Sequence, residues 1–434
     1  MAEIGADPQA LGRYGVVAAR SALALARSAS ELDAVAGADR ERGAEAAELA
    51  WRLRRLAEAE SATGRWVAAV GLAFAEADRG EVLRVVDLLG VLAAHRPGSS
   101  VGQAAADALL DGSATVALVR AAGVALGPAG IDAVVRSRPD RIGPVDGMPV
   151  RARVAANREL VRRALAGTSD PTRRRALEAL MADDPRTGRP RQILLFDPAG
   201  DGQVVEVFGD LDRARSVAVL VPGMSSELSN FDRAVARPAR DLARRAEALT
   251  SSRTGGDGGS SGGVAVVAWL GYDPPDGAVA DIDEVGSLVR DRRAREGGEA
   301  LARFVDGLDF GPDRSLTLVG HSYGSTTVGA AVLAGAQPRN VVAMGSPGVL
   351  VDRVEEFHRP NTEFFVLAAR GDPVAHLGWF GRSPSRTGSG FRRLFVGGSG
   401  HSAYLVDGSV GQANVAAVLL DRGDLLPRRL SPAR

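Results

Sequence analysis

The apolar residues of this chain change their spacing once, near residue 190. Before that point they recur at helical intervals, as in Leu49, Leu53 and Leu56, within long stretches rich in Ala, Leu, Arg and Glu. The helical pattern starts at residue 9, breaks at Ser61-Ala-Thr-Gly-Arg-Trp66, resumes at Val67 and ends beyond His95, at Pro97 and Gly98. It predicts two long helices joined by a short Gly turn, a helical hairpin within residues 1–97 in which Trp51 and Trp66 anchor the core. A further helix is expected over Val101–Leu126, then a connector punctuated by Pro and Gly from Arg138 to Pro149, then helices at 150–166 and 171–182. Residues 98–185 thus read as a helical connector. The breaker cluster Asp183-Asp-Pro-Arg-Thr-Gly-Arg-Pro190 marks the expected start of a separate domain, residues 186–434.

Beyond it the pattern becomes strand-like. Gln192–Phe196 and Gln203–Phe208 flank the turn-forming Asp197-Pro-Ala-Gly-Asp-Gly202, which signals a hairpin. Continuous apolar runs follow at Val217–Val221, Val264–Leu270, Leu316–Val319, Val341–Met344, Phe364–Ala368 and Leu394–Val396, as buried parallel strands require. Helical segments fall between them, at about 232–249, 284–307, 325–335 and 411–421. Strands alternating with helices predict an α/β fold: a mostly parallel sheet with helices on both faces, preceded by an all-α region. Thr250–Gly263 reads as a Gly/Ser-rich surface loop.

Composition narrows the function. Lys plus Arg and Asp plus Glu balance at 53 each, every basic residue being Arg, so the chain lacks the net positive charge of an electrostatic nucleic-acid binder. With no Cys, disulfides, thiol nucleophiles and thiolate metal sites are excluded. The start, Met1-Ala-Glu-Ile-Gly-Ala-Asp-Pro8, has no basic segment followed by an apolar one, so no Sec-type leader is expected. No apolar run reaches the roughly 18 residues of a membrane span. A cytoplasmic location is the expectation, with type VII export as the alternative. No cofactor and no metal is expected.

The chemistry centres on Gly320-His-Ser-Tyr-Gly324. It fits G-x-S-x-G, the nucleophile elbow of the α/β-hydrolase fold, and only here does the pattern lie between an apolar run and a small-residue helix. Two other matches, at Ser260 and Ser261, sit in the Gly/Ser-rich loop and read as linker. Ser322 is therefore the candidate nucleophile, and the following helix directs its N-terminal N–H groups at a substrate. Such a serine needs a histidine base and a carboxylate that orients it, in the chain order Ser, acid, His. His401 follows the last strand and precedes the last helix, where the base belongs; His376 and His358 are its rivals. His321, inside the elbow, is expected to point away from the site. Asp372, after Phe364–Ala368, is the candidate acid, with Asp352 as the alternative. The oxyanion donors are expected to be the backbone N–H groups of Tyr323 and of Met224, the latter in Val221-Pro-Gly-Met224.

Together, Pro222-Gly223, Gly320–Ser325, Gly345-Ser-Pro-Gly348, Gly371-Asp-Pro-Val374 and His401-Ser-Ala-Tyr404 resemble an actinobacterial α/β-hydrolase family of unknown function. Asp146-Gly-Met-Pro149 and Ala156-Asn-Arg158 resemble the lead-in to its hydrolase domain, so the likeness spans about 140–422. It implies Ser322, Asp372 and His401 as a catalytic triad and names no substrate. His376-Leu-Gly-Trp-Phe380 departs from the family's His-Gly form. Separately, Trp66 with Ala68-Ala69 and Ala73-Phe74 resembles the WXG-type hairpins of type VII secretion, although Ala68 stands where Gly would be and the export Tyr is missing. Two functions follow. One is a serine hydrolase acting on a small-molecule acyl substrate through an acyl-enzyme. The other is a non-catalytic interaction protein that presents its N-terminal helices to a protein partner in type VII secretion.

Overall fold

The computed structural model describes residues 8–38, 46–47, 49–54, 56–57, 60–61, 64, 67, 116–184, 187–251, 263–277, 284–308 and 313–426. Trp66, Ala68, Ala69, Phe74, His95, Ser260 and Ser261 lie outside the described residues, and so does the WXG-like stretch they carry. The chain forms two compact units, Met1–Ala152 and Arg153–Arg434.

In the first unit, α1 (Pro8–Ala38) packs against helical residues between 46 and 64. Small residues form the seam: Ala18, Ala22 and Ala29 on one side, Ala46, Ala50 and Ala57 on the other, all buried. A Cβ placed on Gly64 would come within 2.5 Å of the Ala18 Cβ, so the Gly permits close approach. An ion pair between Arg54 and Asp33 joins the same two segments. This corrects two expectations. Ser61, Gly64 and Val67 are helical, so among the described residues of that stretch no turn appears and the Gly is a packing contact. The buried positions are alanines, whereas Leu49, Leu56 and Trp51 are exposed, Trp51 by 53%. The helix expected to stop at Leu126 does end there: within α2 (Val116–Ser137) Gly127, at φ 64° and ψ 176°, and Pro128 separate it from a second helical segment that runs on to Ser137.

The second unit opens with α3 (Val150–Gly167, from Arg153 onward) and α4 (Pro171–Met181), the latter capped by the Asp170 carboxylate on Thr172 N–H. The breaker cluster at 183–190 therefore lies inside this unit. Side chains of α3 hold the edge of the sheet. Arg153 Nε donates to Leu194 O at 2.9 Å, Asn157 Nδ2 donates to Ile193 O at 3.3 Å, and Asn157 Oδ1 accepts from Phe196 N–H at 3.1 Å. These bonds span the irregularity between Ile193 and Leu195, where the strand loses register with its neighbour.

Among the described residues eight strands form one sheet in the order β1-β2-β4-β3-β5-β6-β7-β8. They are β1 (Gln192–Asp197), β2 (Gln203–Gly209), β3 (Ala214–Val221), β4 (Gly263–Leu270), β5 (Ser315–His321), β6 (Asn340–Met344), β7 (Glu363–Leu367) and β8 (Arg392–Leu394). β2 runs antiparallel to β1 and β4, and the pairs from β4 to β8 are parallel. Helix α5 (Arg237–Ser251) packs with α8 (Val410–Leu419), and α6 (Glu284–Gly307) packs with α7 (Tyr323–Leu333). The two pairs enclose the sheet, which explains why β3, β4 and β5 carry unbroken apolar runs rather than an alternating pattern. The α6–α7 contact is close because Gly298 faces Ala330, where a Cβ would meet the Ala330 Cβ at 2.3 Å.

Candidate active site

The site begins with the turn between β5 and α7. Ser322 occupies it with φ 54° and ψ −130°, a conformation rarely open to a residue with a Cβ, and its N–H donates to Met344 O at 2.8 Å. The flanking glycines are sterically required. A Cβ on Gly320 would come within 2.4 Å of Ser325 Cα, and one on Gly324 would come within 2.4 Å of the Val221 and Pro222 carbonyl oxygens. The small residues of α7 tie the turn to the loop after β6: Ser325 Oγ donates to Ser346 Oγ at 2.7 Å, and Thr326 Oγ1 donates to Gly348 O at 2.9 Å.

Asp372 follows β7 and has no exposed surface. Four groups donate to its carboxylate: His401 Nδ1 at 3.0 Å from each oxygen, the Tyr404 hydroxyl, and the N–H groups of Val374 and Ala375 at 2.9 and 3.4 Å. Burial pushes this carboxyl up, but the bonds from Tyr404 and His401 outweigh it and hold Asp372 below the ordinary carboxylate range. Tyr404 is pushed up, first by burial and then by its bond to Asp372, so its phenol stays protonated and donates; its oxygen accepts from Ala369 N–H at 3.0 Å. Gly345, at φ 58°, makes room for the cluster: a Cβ there would meet Asp372 Oδ2 at 2.8 Å, Tyr404 Cε2 at 2.9 Å and His401 Cε1 at 3.1 Å.

Ser322 and His401 line the same cleft, of about 950 Å³, with Pro222, Gly223 and Met224 on another wall. Gly223 lies against the serine, since a Cβ on it would sit 2.8 Å from Ser322 Cβ. Tyr272, just after β4, donates its hydroxyl to Pro222 O at 2.7 Å and stacks between Trp269 and Tyr323, with centroids 5.7 and 6.5 Å away. The Tyr323 N–H belongs to the first residue of α7, at the positive end of the helix.

Four expected features thus come together in one place: Ser322, Asp372 with His401, the Tyr323 backbone and the Met224 loop. The rivals stay apart. Asp352 is exposed and accepts from Arg382 N–H at 2.7 Å. His376 is exposed and lies 3.4 Å from Ser385 Oγ, and His358 is exposed at φ 53°. His321 departs from its expected direction. It lines the cleft, its Nε2 donates to His401 O at 2.9 Å, and the two rings lie 4.9 Å apart. Burial, with the neighbouring His401 adding to it, pulls His321 down to about 4, so it is neutral at pH 7 and its proton sits on Nε2 facing the carbonyl. Tyr272 was without any local signal. Tyr404 lies in a recognisable stretch, but only the fold brings its hydroxyl to Asp372.

A sheet of this strand order with a serine elbow after β5 defines the α/β-hydrolase class. The chain belongs to the alpha/beta hydrolase family, whose model matches residues 197–381. Among its relatives, the uncharacterized protein Rv0963c of Mycobacterium tuberculosis (strain ATCC 25618 / H37Rv) is 30% identical over 220 residues, covering 48% of this chain and 77% of that protein. The uncharacterized protein Rv2079 of the same strain is 30% identical over 291 residues, covering 56% of this chain. This chain spans 42% of the length of Rv2079. Among solved structures, a dienelactone hydrolase-like promiscuous phosphotriesterase from metagenomic libraries aligns over 54% of this chain and 96% of that one, at 15% identity and a TM-score of 0.34. No described helix is long and apolar enough to cross a membrane.

Proposed function

We propose that the protein is a serine hydrolase of esters or related acyl compounds that works through a Ser322 acyl-enzyme. The observation that carries this reading is the His401–Asp372 hydrogen bond in the cleft that Ser322 faces. In the reaction, Ser322 Oγ attacks the acyl carbon while His401 Nε2 takes its proton. Asp372 holds the Nδ1 proton, which fixes the tautomer and stabilises the imidazolium that forms. The N–H groups of Tyr323 and Met224 are the donors for the oxyanion. Collapse of the tetrahedral intermediate breaks the bond to the leaving alcohol, which receives the proton from His401. Water, deprotonated by His401, then attacks the acyl-enzyme and releases the acid with the serine restored. Tyr404 and the Val374 N–H keep Asp372 ionised for both halves. His321 acts as a positioning residue, anchoring the backbone of the loop that carries His401.

Treatment with a fluorophosphonate followed by peptide mapping tests the reading. Ser322 is expected to carry the adduct, and Ser322→Ala to abolish it. On any ester that turns over, Asp372→Asn should slow kcat by on the order of 10⁴-fold by supporting the wrong imidazole tautomer. Asp352→Asn should change it little. An adduct on Ser260 or Ser261, or a folded protein that takes none, sinks the assignment, and the reverse ranking of the two Asp variants moves the acid to Asp352.

A further inference from the structure

The cleft walls near Ser322 are largely apolar, with Met224, Ala234, Val235, Leu405 and Val406 among the lining residues. Among the described lining residues none is Asp, Glu or Lys, and the single permanent charge is Arg233. It sits exposed on a π-helical turn, Asp232–Ala236, in the connection from β3 to α5, and such turns recur at functional sites.

Asp232, its neighbour in the chain, and Asp407, beside the lining residue Val406, are engaged elsewhere. Asp232 pairs with Arg191 at 3.1 Å and with Arg240 at 3.7 Å. Arg191 is buried and donates through Nε to Glu206 of β2 at 2.7 Å, so the network fastens the turn to the sheet through Asp232. Asp407, next to Val406, is bound to Arg244. Among the described residues the Arg233 guanidinium has no hydrogen bond or ion pair. Its planar fork of donors matches a carboxylate or a phosphate.

We propose that the substrate is an ester carrying an anionic group, a carboxylate or a phosphate, and that Arg233 is its counter-charge in the cleft. The proposal rests on Ser322 being the nucleophile. An apolar part of the substrate then occupies the Met224–Val235–Leu405 lining while the anion meets Arg233. Because the guanidinium is exposed, its discrimination is modest and falls as salt rises.

The test uses the full chain and matched pairs of esters. One pair, 4-nitrophenyl hexanoate and mono-4-nitrophenyl adipate, places the charge on the acyl part. A second set, phenyl butyrate, 4-butyryloxybenzoate and 4-butyryloxyphenyl phosphate, places a carboxylate or a phosphate on the alcohol part. The readout is the ratio of kcat/KM for the anionic member to that for its neutral match. In at least one set Arg233→Ala should lower this ratio about tenfold, through KM, and Arg233→Glu should lower it further. Arg233→Lys should keep most of it, and added salt should shrink the difference between wild type and variants. The set in which the ratio moves identifies the carboxylate or phosphate source. A ratio unmoved in every set, or variants that lower both members equally, overturns the proposal. Fluorophosphonate labelling separates the two failures. If Ser322 labels in wild type and in Arg233→Ala while the ratio stays put, the charge assignment alone is wrong. If wild type does not label, the nucleophile reading fails and this proposal fails with it.

Discussion

The helical seam of the first compact unit and the core of the second bury different kinds of apolar side chain. In the helical unit the seam between α1 and residues 46–64 is built of small residues, with Ala29 and Ala50 at 0% exposure, while Val17 and Leu23 are each 61% exposed; the larger buried side chains of that unit, Ile131, Ile142 and Met148, lie farther along the chain. In the sheet unit Trp269 is 1% exposed, and Phe231, Phe304, Leu194 and Leu270 are fully enclosed. Burying a methyl group is worth about 0.8 kcal/mol, whereas a fully buried Leu or Phe side chain is worth about 1.5–3 kcal/mol. The sheet core therefore has a stronger drive to pack than the alanine seam, residue for residue. It also carries the strained backbone: Ser225, Ser322, Leu350, His358 and Asp421, all with positive φ, belong to it. Each such residue costs on the order of 1–3 kcal/mol and persists only where the surroundings over-determine it. An elbow like that of Ser322 needs a deep core around it, and a seam of alanines does not provide one.

The largest effect expected from breaking this division concerns where the sheet unit begins. A chain starting at Val150 keeps Arg153 and Asn157, which hold the backbone of β1 across its irregularity. A chain starting at Arg186 loses both, together with the two helices that cover that side, and exposes an edge strand with unpaired groups. The longer truncated chain should remain monomeric and label at Ser322 with fluorophosphonate. The shorter should aggregate or fail to fold, as judged by size-exclusion chromatography and circular dichroism. Equal behaviour of the two would mean that α3 and α4 are dispensable.

Next in size is a cavity in the sheet unit. Trp269→Ala removes the ring on which Tyr272 stacks, and should cost about 3–5 kcal/mol in chemical denaturation. Tyr272 in turn holds Pro222 O, so labelling at Ser322 should also slow. Because the units differ in core, unfolding should show more than one transition, and only the one that tracks the active site should move. A single transition that shifts as a whole would show that the units unfold together.

What the sequence could reveal follows from the same contrast. Buried parallel strands leave continuous apolar runs, so β3 to β7 were legible one by one, and the elbow glycines announced a turn that tolerates no Cβ. The hydrogen-bonded pair of Asp372 and His401 could be picked out because each follows a strand at the place where the fold would put an acid or a base. The failures are long-range contacts. Gly64 reads as a break in a chain pattern, yet it is helical because Ala18 approaches it from another helix. Leu49 and Leu56 recur at helical spacing but fall on the outer face, while Ala46, Ala50 and Ala57 form the seam. The direction of His321 depends on a carbonyl 80 residues away in the chain. Asn157 looks like part of a helix, and only the folded edge strand gives its amide two partners.

His321 also gives the sheet unit a pH signature that the alanine seam lacks. Its folded pKa of about 4 lies below the ordinary histidine value, so between about pH 4 and 6.5 the unfolded chain binds a proton that the folded one does not. Stability from this group is complete above about pH 6.5 and is lost as pH falls towards 4, by on the order of 3 kcal/mol. Asp372, also held low, loses its contribution at lower pH still, as pH falls through its own folded value. His321→Gln keeps a donor for His401 O but does not titrate. Urea denaturation from pH 4 to 7 should therefore show a flatter profile for the variant, and an unchanged slope would mean that other groups set it.

The smallest expected effect is in the helical unit. Leu49 and Leu56 are 48% and 54% exposed, so little apolar surface is removed from water when the helices pair. Both lie among helical residues, where Gln has nearly the helix propensity of Leu. The pair Leu49→Gln and Leu56→Gln should therefore change the stability of this unit by no more than about 0.5 kcal/mol each, as substitutions on a solvated face do. Ala50→Leu, by contrast, forces a larger side chain into a seam with no free space and should cost about 1–3 kcal/mol. Measuring all three by denaturation followed through helical circular dichroism puts the small-residue seam to a direct test. If the leucine changes cost more than the alanine change, the outer face is covered in solution and the contrast between the two units is smaller than their buried residues indicate.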